Sequence, residues 1–292
     1  MRVDDPSDGD AADDRVPDHD RIRSTEPAEP AEARDREECY RDHRAYDQVP
    51  GRLSAGGHPD QPPFAGDGGW KWKGLELSPE ANRVADEGLA ARQAAEGRDP
   101  EGNYGEGGLT PAMRRVEAEL THGTLVPDTE KFALKSSDRL KEKLAKMIDR
   151  YPGHPCGELV SAIHDGIRYT FLFPAGDYTA GVADATQALR DRGYDLRIRK
   201  PSWNEGDYRG VNSRWRDTDS GILFEVQFHT PETWEAKQKT HDIYEKLCDT
   251  RTPPREREQL EEQQRLIVAA IPVPPGAEKI THYVKGQSDN RE

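Results

Sequence analysis

The stretch LFEVQF, residues 223–228, predicts a β-strand with two chemically different faces. Because side chains alternate along a strand, one face carries two phenylalanines and a valine, and the other carries Glu225 and Gln227. The apolar face is expected to pack against the core. A carboxylate in the middle of a strand is disfavoured by β-propensity, so Glu225 has a reason to be there. It either faces water in a hairpin or faces a ligand, and the pattern leaves both alternatives open.

The segments around this strand predict a mixed sheet. IRYTFLF, residues 167–173, is β-branched and aromatic, as is typical of a buried strand. Two further strands precede 221–229, and a turn at 218–221 joins the last pair as a hairpin. The predicted strands are 167–173, 194–200, 209–217 and 221–229, and capping signals with apolar periodicity predict helices over about 110–123, 137–152, 177–192, 231–247 and 253–270. This order favours the α+β (mixed α/β) class, with four or five strands flanked by helices.

The composition changes along the 292 residues and divides the chain into four regions. Over the whole chain, 33% of the residues are hydrophobic and 34% are charged. Residues 1–69 are rich in aspartate and glutamate and poor in apolar side chains, which predicts a disordered acidic leader. We expect 70–109 to be a poorly structured linker with a short WKWK segment at its start. One folded domain is predicted over 110–272, followed by a proline-rich tail over 273–292.

Several classes of protein are disfavoured by charge and patterning. The formal net charge of −14 argues against a surface that clamps nucleic acid as a whole, although a local basic groove remains compatible with it. The sequence contains no apolar run of membrane-spanning length and no secretory signal at its start. Its three cysteines are far apart, which argues against a disulfide framework or a thiolate zinc site. We therefore expect a cytoplasmic protein without a membrane partner.

Two groups of charged residues are candidates for phosphate and metal chemistry. Asp165 precedes one predicted strand and Glu225 lies in another, and two carboxylates on neighbouring strands suit Mg²⁺. Lys135, Arg139 and Lys143 are spaced four apart at the start of a helix, where cations and free N–H groups suit a triphosphate. A solvated helix face is the alternative interpretation of the basic stripe.

A third candidate is the segment KPSWNEGDYRGVNSRWR, residues 200–216. Trp203 and Tyr208 are positioned to stack on a base, although aromatic residues more often pack in cores. His229, His241 and Tyr244 cluster later in the sequence without a third ligand for zinc, so a buried, hydrogen-bonded histidine is the default interpretation.

Five motifs follow one another along the predicted domain. They are FALKSSDRLKEKL (132–144), HDGIRYTFLF (164–173), KPSWNEGDYRGVN (200–212), FEVQFHT (224–230) and AKQKTHDIYEKL (236–247). In this order and spacing, the chain resembles the synthetase domain of RelA/SpoT-type alarmone synthetases and their toxin relatives. The resemblance implies a nucleotidyltransferase-like sheet and a pyrophosphokinase that uses Mg²⁺. Such an enzyme transfers the β,γ-pyrophosphoryl group of ATP to the 3′-hydroxyl of an acceptor such as GTP, GDP or an adenine nucleotide, and releases AMP.

The resemblance also implies roles for individual residues. Asp165 and Glu225 match the catalytic acidic pair as metal ligands, and Glu225 matches a residue that is either a ligand or the general base for the 3′-hydroxyl. Tyr208 matches the tyrosine that stacks on the acceptor base. The residues implied to bind ATP are Lys135, Ser136, Arg139, Lys143, Arg168 and His229, and those implied to bind the acceptor are Lys200, Tyr208, Asn212 and Gln227.

Three departures from the family pattern bear on the acceptor. Asn212 stands where the family has histidine, His229 stands where it has arginine, and Asp165 precedes Arg168 by a shorter interval. These changes resemble the secreted or toxin-like branch, which implies an effector delivered to act in a cytoplasm and an antitoxin or immunity protein as a partner. A tRNA 3′ end is an alternative acceptor, favoured by the basic residues of 197–216. A non-catalytic nucleotide-binding interaction module is the alternative of another class.

Overall fold

A computed structural model describes residues 68–99, 101–203, 208–248 and 252–286. The predicted acidic leader therefore lies outside the described residues, except for its last two positions. The described residues all belong to one compact unit. Within them, none of the helices has both the length and the apolar character needed to cross a bilayer.

The described residues form both strands and helices, often in runs of two or three of one kind. The strands are β1 (Trp70–Trp72), β2 (Leu75–Leu77), β3 (Thr124–Leu125), β4 (Arg168–Leu172), β5 (Tyr194–Ser202), β6 (Gly210–Asp217), β7 (Leu223–His229) and β8 (Tyr283–Val284). The helices are α1 (Pro79–Glu96), α2 (Leu109–Glu119), α3 (Thr129–Phe132), α4 (Ser137–Arg150), α5 (Cys156–Ala162), α6 (Tyr178–Asp191), α7 (Pro231–Lys239), α8 (His241–Cys248) and α9 (Pro254–Ala269), with a 3₁₀ turn at Ala277–Lys279.

The central element is a six-stranded mixed sheet in the order β3-β4-β7-β6-β5-β8. Strands β4 and β7 are parallel, and every other neighbouring pair is antiparallel. The predicted α+β class is confirmed, but six strands replace the expected four or five. The two additional strands, β3 and β8, are two-residue edge strands, which are too short to produce a readable alternation. Strand β8 also places part of the expected tail in the sheet.

The expectation for residues 70–109 was wrong as to secondary structure. Strands β1 and β2 form a hairpin, and the 18-residue helix α1 follows, capped by the Ser78 side chain and ended by Gly97 with a φ of 95°. Trp70 of the hairpin and Ala85 of α1 are buried in one apolar cluster with residues of α4 and α5. The apolar residues that helix α1 buries are all alanine, so its sequence lacks the stripe of large apolar residues that reveals an amphipathic helix. The boundaries proposed for the folded domain stay a prediction.

Both faces of strand β7 are covered. Its two phenylalanines and Val226 are fully buried in the main apolar cluster, as the alternation predicts. Glu225 and Gln227 on the opposite face are each only 1% exposed. The alternative in which Glu225 faces water in a hairpin is therefore wrong, because helix α7 and neighbouring side chains cover this face.

A buried arginine of α1 holds the turn that leads from α5 into β4. The Arg92 side chain is 1% exposed and donates hydrogen bonds to the carbonyl oxygens of Gly88, Val160 and Ile163, at 2.8, 2.6 and 2.9 Å. Gly166 packs directly on it, since a Cβ added there would lie 2.3 Å from the Arg92 Nε atom. The turn at 163–166 is thus fixed at both of its ends by one side chain.

We predict that Gly166→Ala lowers the free energy of unfolding by about 1–3 kcal/mol, because the added methyl group overpacks against Arg92. The matched control is Gly157→Ala in α5, where an added Cβ meets nothing within 4 Å. Urea unfolding followed by tryptophan fluorescence measures both variants. Equal stability of the two variants would contradict the proposed contact.

Candidate active site

Two carboxylates and a histidine converge where strands β4 and β7 lie side by side. Arg168, the first residue of β4, is in register with Glu225 of β7, and Asp165 lies in the turn just before β4. Donor atoms of His164, Asp165 and Glu225 all lie within 4.8 Å of one another. The structure therefore brings the predicted acidic pair together, as expected for residues on neighbouring strands.

Basic side chains surround the two carboxylates. The Lys143 Nζ atom lies 3.0 Å from Asp165 Oδ1, and the Lys135 Nζ atom lies 3.7 Å from Asp165 Oδ2. Arg168 bridges the pair, with Nε 3.1 Å from Glu225 Oε2 and Nη2 3.7 Å from Asp165 Oδ2. Lys135, Asp165, Arg168 and Glu225 are all buried. Two of the predicted phosphate-binding lysines thus contact Asp165.

Local folding explains how these basic residues reach the site. The backbone N–H of Lys135 donates to the Gly166 carbonyl oxygen at 2.9 Å, which fixes Lys135 beside the turn carrying Asp165. Helix α4 then begins under a Ser136 cap, whose hydroxyl accepts from the Arg139 backbone N–H at 3.4 Å. Lys143 lies two turns further along this helix. The sequence leaves Ser136 and Ser137 open as the start of this helix, and the structure has Ser136 as the cap and Ser137 as the first helical residue.

Glu225 is held as an anion by its neighbours. Asn212 Nδ2 and Gln227 Nε2 each donate to Glu225 Oε1 at 2.5 Å. Burial alone raises the pKa of this carboxyl, but the Arg168 charge, the Gln227 hydrogen bond and the Lys237 charge outweigh burial and hold the pKa below its usual value. A buried carboxylate in this state is a strong hydrogen-bond acceptor and a weak base.

A second network extends from Gln227 to Tyr208. The Lys237 ammonium of α7 donates to Gln227 Oε1 at 2.7 Å and lies 3.3 Å from His229 Nε2. The Tyr208 hydroxyl lies 3.0 Å from the same nitrogen, and His229 Nδ1 lies 2.9 Å from Thr233 Oγ1. Because an ammonium can only donate, Nε2 accepts and the histidine proton is on Nδ1. Burial, with the Lys237 charge, lowers the pKa of His229 well below its usual value, so the ring is neutral.

Three of the predicted acceptor-binding residues lie on the sheet, whereas Arg139 lies on helix α4. Lys200 of β5, Asn212 of β6 and Gln227 of β7 are register partners across the sheet and therefore share one face. Arg139 contacts Glu142 at 3.2 Å, and its guanidinium lies 5.7 Å from the centre of the Trp72 ring. The structure thus aligns three of the residues expected to bind the acceptor.

Trp203 and Tyr208, the two aromatic residues proposed from the sequence to stack on a base, are both buried. Tyr208 is 9% exposed, and the Lys237 ammonium lies 5.1 Å from its ring centre. Trp203 packs edge-on against Tyr178 at 5.0 Å, which matches the packing alternative for this residue. Residues 204–207 between them, like the side chains of His241 and Tyr244, lie outside the described residues. His229 is the buried, hydrogen-bonded histidine that the sequence interpretation took as its default.

Two residues of this site, Lys237 and His164, were not predicted from the sequence as functional candidates. Lys237 carries a buried positive charge beside Gln227 and His229, and its signal was its position on the helix that directly follows the strand carrying Glu225. His164 is half-buried and adjoins Asp165 in the motif HDG, so adjacency alone could have identified it.

The sequence matches no protein-family model and no curated protein. Among solved structures, the chain is similar to small alarmone synthetase 1 from Bacillus subtilis bound to its product pppGpp, with 12% identity and a TM-score of 0.41 over 66% of this chain and 93% of that one. It is also similar to small alarmone synthetase 2 from the same organism, with 15% identity and a TM-score of 0.39 over 62% and 90% of the two chains. A GTP pyrophosphokinase family protein from Streptococcus pneumoniae is 17% identical, with a TM-score of 0.39 over 65% and 89%. The names of these structures are those of alarmone synthetases and a GTP pyrophosphokinase family protein, the kind of protein that the five sequence motifs resemble.

We predict that Arg168→Met lowers the free energy of unfolding by about 3–5 kcal/mol, because it leaves the buried Glu225 carboxylate without its closest cation. The double variant Arg168→Met/Glu225→Gln is expected to be more stable than the single Arg168→Met variant, since it removes the uncompensated charge. Urea unfolding of the wild type, both single variants and the double variant forms a double-mutant cycle. Additive losses would contradict direct coupling of the two side chains.

Proposed function

We propose that this chain is a nucleotide pyrophosphokinase that transfers the β,γ-pyrophosphoryl group of ATP to the 3′-hydroxyl of an acceptor nucleotide. The observation that carries the proposal is a group of basic side chains gathered around two buried carboxylates, among the residues that the structure describes. We call this group the strand-end cluster, and it consists of Asp165, Glu225, Lys135, Lys143, Arg168 and Lys237.

The basic side chains of the strand-end cluster favour a polyanionic ligand. Four cationic side chains face two carboxylates, and Lys135, Arg168 and Lys237 are all less than 10% exposed. Several cationic side chains held close together suit a ligand that carries several negative charges, because hydrogen bonds between ionised groups are the strong ones. A triphosphate supplies negative charge over a length that matches several cations, and motifs of the cluster occur in the order of the alarmone synthetase motifs.

The carboxylates fit a divalent cation held together with phosphate oxygens. Asp165 and Glu225 offer oxygen donors within 4.8 Å of each other, which is the donor chemistry that Mg²⁺ prefers. When bound, Mg²⁺ supplies charge neutralisation for the phosphate oxygens. The lowered pKa of Glu225 favours a role in ligand binding and orientation over that of a general base.

In the proposed reaction, the acceptor 3′-oxygen forms a bond to the β-phosphorus of ATP. The bond between that phosphorus and the oxygen of the α-phosphate breaks, the proton of the hydroxyl passes to water, and AMP leaves. Lys135, Lys143 and Arg168 are positioned to stabilise charge on the transferred group. Lys237 supplies a cation beside the neutral His229, where the resemblance implies an arginine.

The proposed binding site for the acceptor nucleotide lies along three register partners of the sheet, Lys200, Asn212 and Gln227. We favour a free nucleotide over tRNA, because Arg197 and Arg199, two of the basic residues that suggest RNA, bond to Asp195 and to the Thr281 carbonyl oxygen. We also propose that the acceptor base stacks on Tyr208, which requires this buried ring to become exposed when the acceptor binds. An effector role with an immunity partner stays a prediction from the motif departures.

We predict that Glu225→Gln lowers transfer at least about 100-fold while the variant remains folded, because it removes an anionic oxygen donor from the proposed divalent-cation site. The assay incubates the full chain with γ-labelled ATP, Mg²⁺ and, separately, GTP, GDP, ATP, ADP, AMP or tRNA, and quantifies labelled product and AMP. Glu262→Gln, at an exposed carboxylate of α9, is the matched control and keeps wild-type activity.

Each outcome of that assay bears on the proposal. Label on a free nucleotide with equimolar AMP supports it, and label on tRNA alone replaces the acceptor. Binding of ATP without AMP formation from any acceptor would instead favour the non-catalytic binding module. Full activity of Glu225→Gln would overturn the assignment of Glu225.

We predict that Lys143→Met raises KM for ATP about tenfold or more, because a charged hydrogen-bonding group is lost from the phosphate site. Lys146→Met on the same helix is the matched control, since Lys146 contacts Glu142 at 2.6 Å and is more exposed. Steady-state kinetics at saturating acceptor measures both variants. Equal KM values for the two variants would remove Lys143 from the proposed ATP site.

A further inference from the structure

We propose that His164 is a third protein ligand of the metal in the strand-end cluster, and that the site therefore binds Mn²⁺ in preference to Mg²⁺. This inference rests on the proposed function, because the metal is taken to enter with ATP. It adds a nitrogen donor to the two carboxylates that the sequence motifs identify.

The spacing of the three side chains supports a common ion. Donor atoms of His164, Asp165 and Glu225 lie within 4.8 Å of one another. Adjacent ligands of an octahedral ion at about 2.1 Å are about 3 Å apart and opposite ones about 4.2 Å, so side-chain adjustments of about 1–2 Å bring the three donors onto one ion. His164 adjoins Asp165 in sequence, and its half-buried side chain leaves an approach from solvent.

The backbone around His164 is rigidly held, which makes the donor arrangement a built feature of the fold. Arg92 binds the carbonyl oxygen of Ile163 on one side, and Gly166 packs on Arg92 on the other. The Gly166 carbonyl oxygen also accepts from the Lys135 backbone N–H. Residues 164 and 165 are therefore fixed between two anchored positions, which lowers the entropic cost of presenting two ligands at once.

The chemistry of the donors sets the preferred ion. Mg²⁺ takes oxygen ligands and retains water, whereas first-row transition ions bind imidazole nitrogen well. Two carboxylates, one imidazole and phosphate oxygens form a mixed oxygen and nitrogen set. Lys143 and Arg168 already contact the carboxylates, so we expect the metal to bind mainly as a nucleotide complex, whose phosphates attract those cations.

Pulsed electron paramagnetic resonance of bound Mn²⁺ tests the proposal directly. The full chain is loaded with Mn²⁺ and an ATP analogue that has a methylene group between the α and β phosphorus atoms, which blocks transfer. We expect the wild type to show the ¹⁴N coupling of a directly bound imidazole and His164→Ala to lose it. His154→Ala, at an exposed histidine, is the control and retains the coupling.

Metal titrations of the same variants measure the preference between ions. In the presence of the analogue, His164→Ala is expected to weaken Mn²⁺ binding about tenfold or more and Mg²⁺ binding by about twofold at most. The absence of ¹⁴N coupling in the wild type, or its persistence in His164→Ala, would overturn the role of His164. If Asp165→Asn then still abolishes metal binding, the proposed function stands without the histidine. If the wild type binds neither analogue nor metal, the proposed function fails as well.

Discussion

The buried ion pair between Arg168 and Glu225 is the interaction on which the rest of the site depends. It joins two parallel neighbouring strands, whose backbones lie about 4.8 Å apart, at the one position where both carry a charge on the same face. A lone carboxylate at this depth would be strongly destabilising, so its neighbours must supply hydrogen bonds and positive charge. Asn212, Gln227 and Arg168 all donate to it, and Lys237 follows by donating to Gln227.

Satisfying this carboxylate gives the sheet two unlike faces with different tasks. The face with the phenylalanines is an ordinary apolar core and contributes most of the burial. The opposite face is equally inaccessible but carries hydrogen bonds and charges in place of apolar contacts. Polar networks of this kind rigidify a structure when every member has a partner, at some cost in stability relative to apolar packing. His229 is neutral and is hydrogen-bonded at both of its ring nitrogens, so this network also orders a residue that carries no charge.

The sequence was most informative where a regular pattern and a large side chain coincide. Strands β4 and β7 and the Ser136 cap were predictable because alternation, aromatic content and a capping residue act locally. Helix α1 was not, because alanine packs closely without marking a stripe, and the two-residue strands β3 and β8 have no period to detect. The depth of Glu225 was also unpredictable, since burial of that face depends on α7, which arrives from elsewhere in the chain. Asp165 and Glu225 could be paired from the sequence, whereas Lys237 and the role of Arg92 required the packing of separate elements.

The contact between Arg92 and the turn at 163–166 joins the segment that carries the candidate site residues to a helix that lies outside that segment. Every residue of the strand-end cluster lies after position 134, yet the side chain that holds the Asp165 turn belongs to a helix that starts at Pro79. The segment with all five motifs therefore receives part of its support from a residue outside it. A fragment or chimaera cut at the boundary that composition suggests, near residue 110, would keep the whole recognisable sequence signature and lose the support beneath one of its two carboxylates.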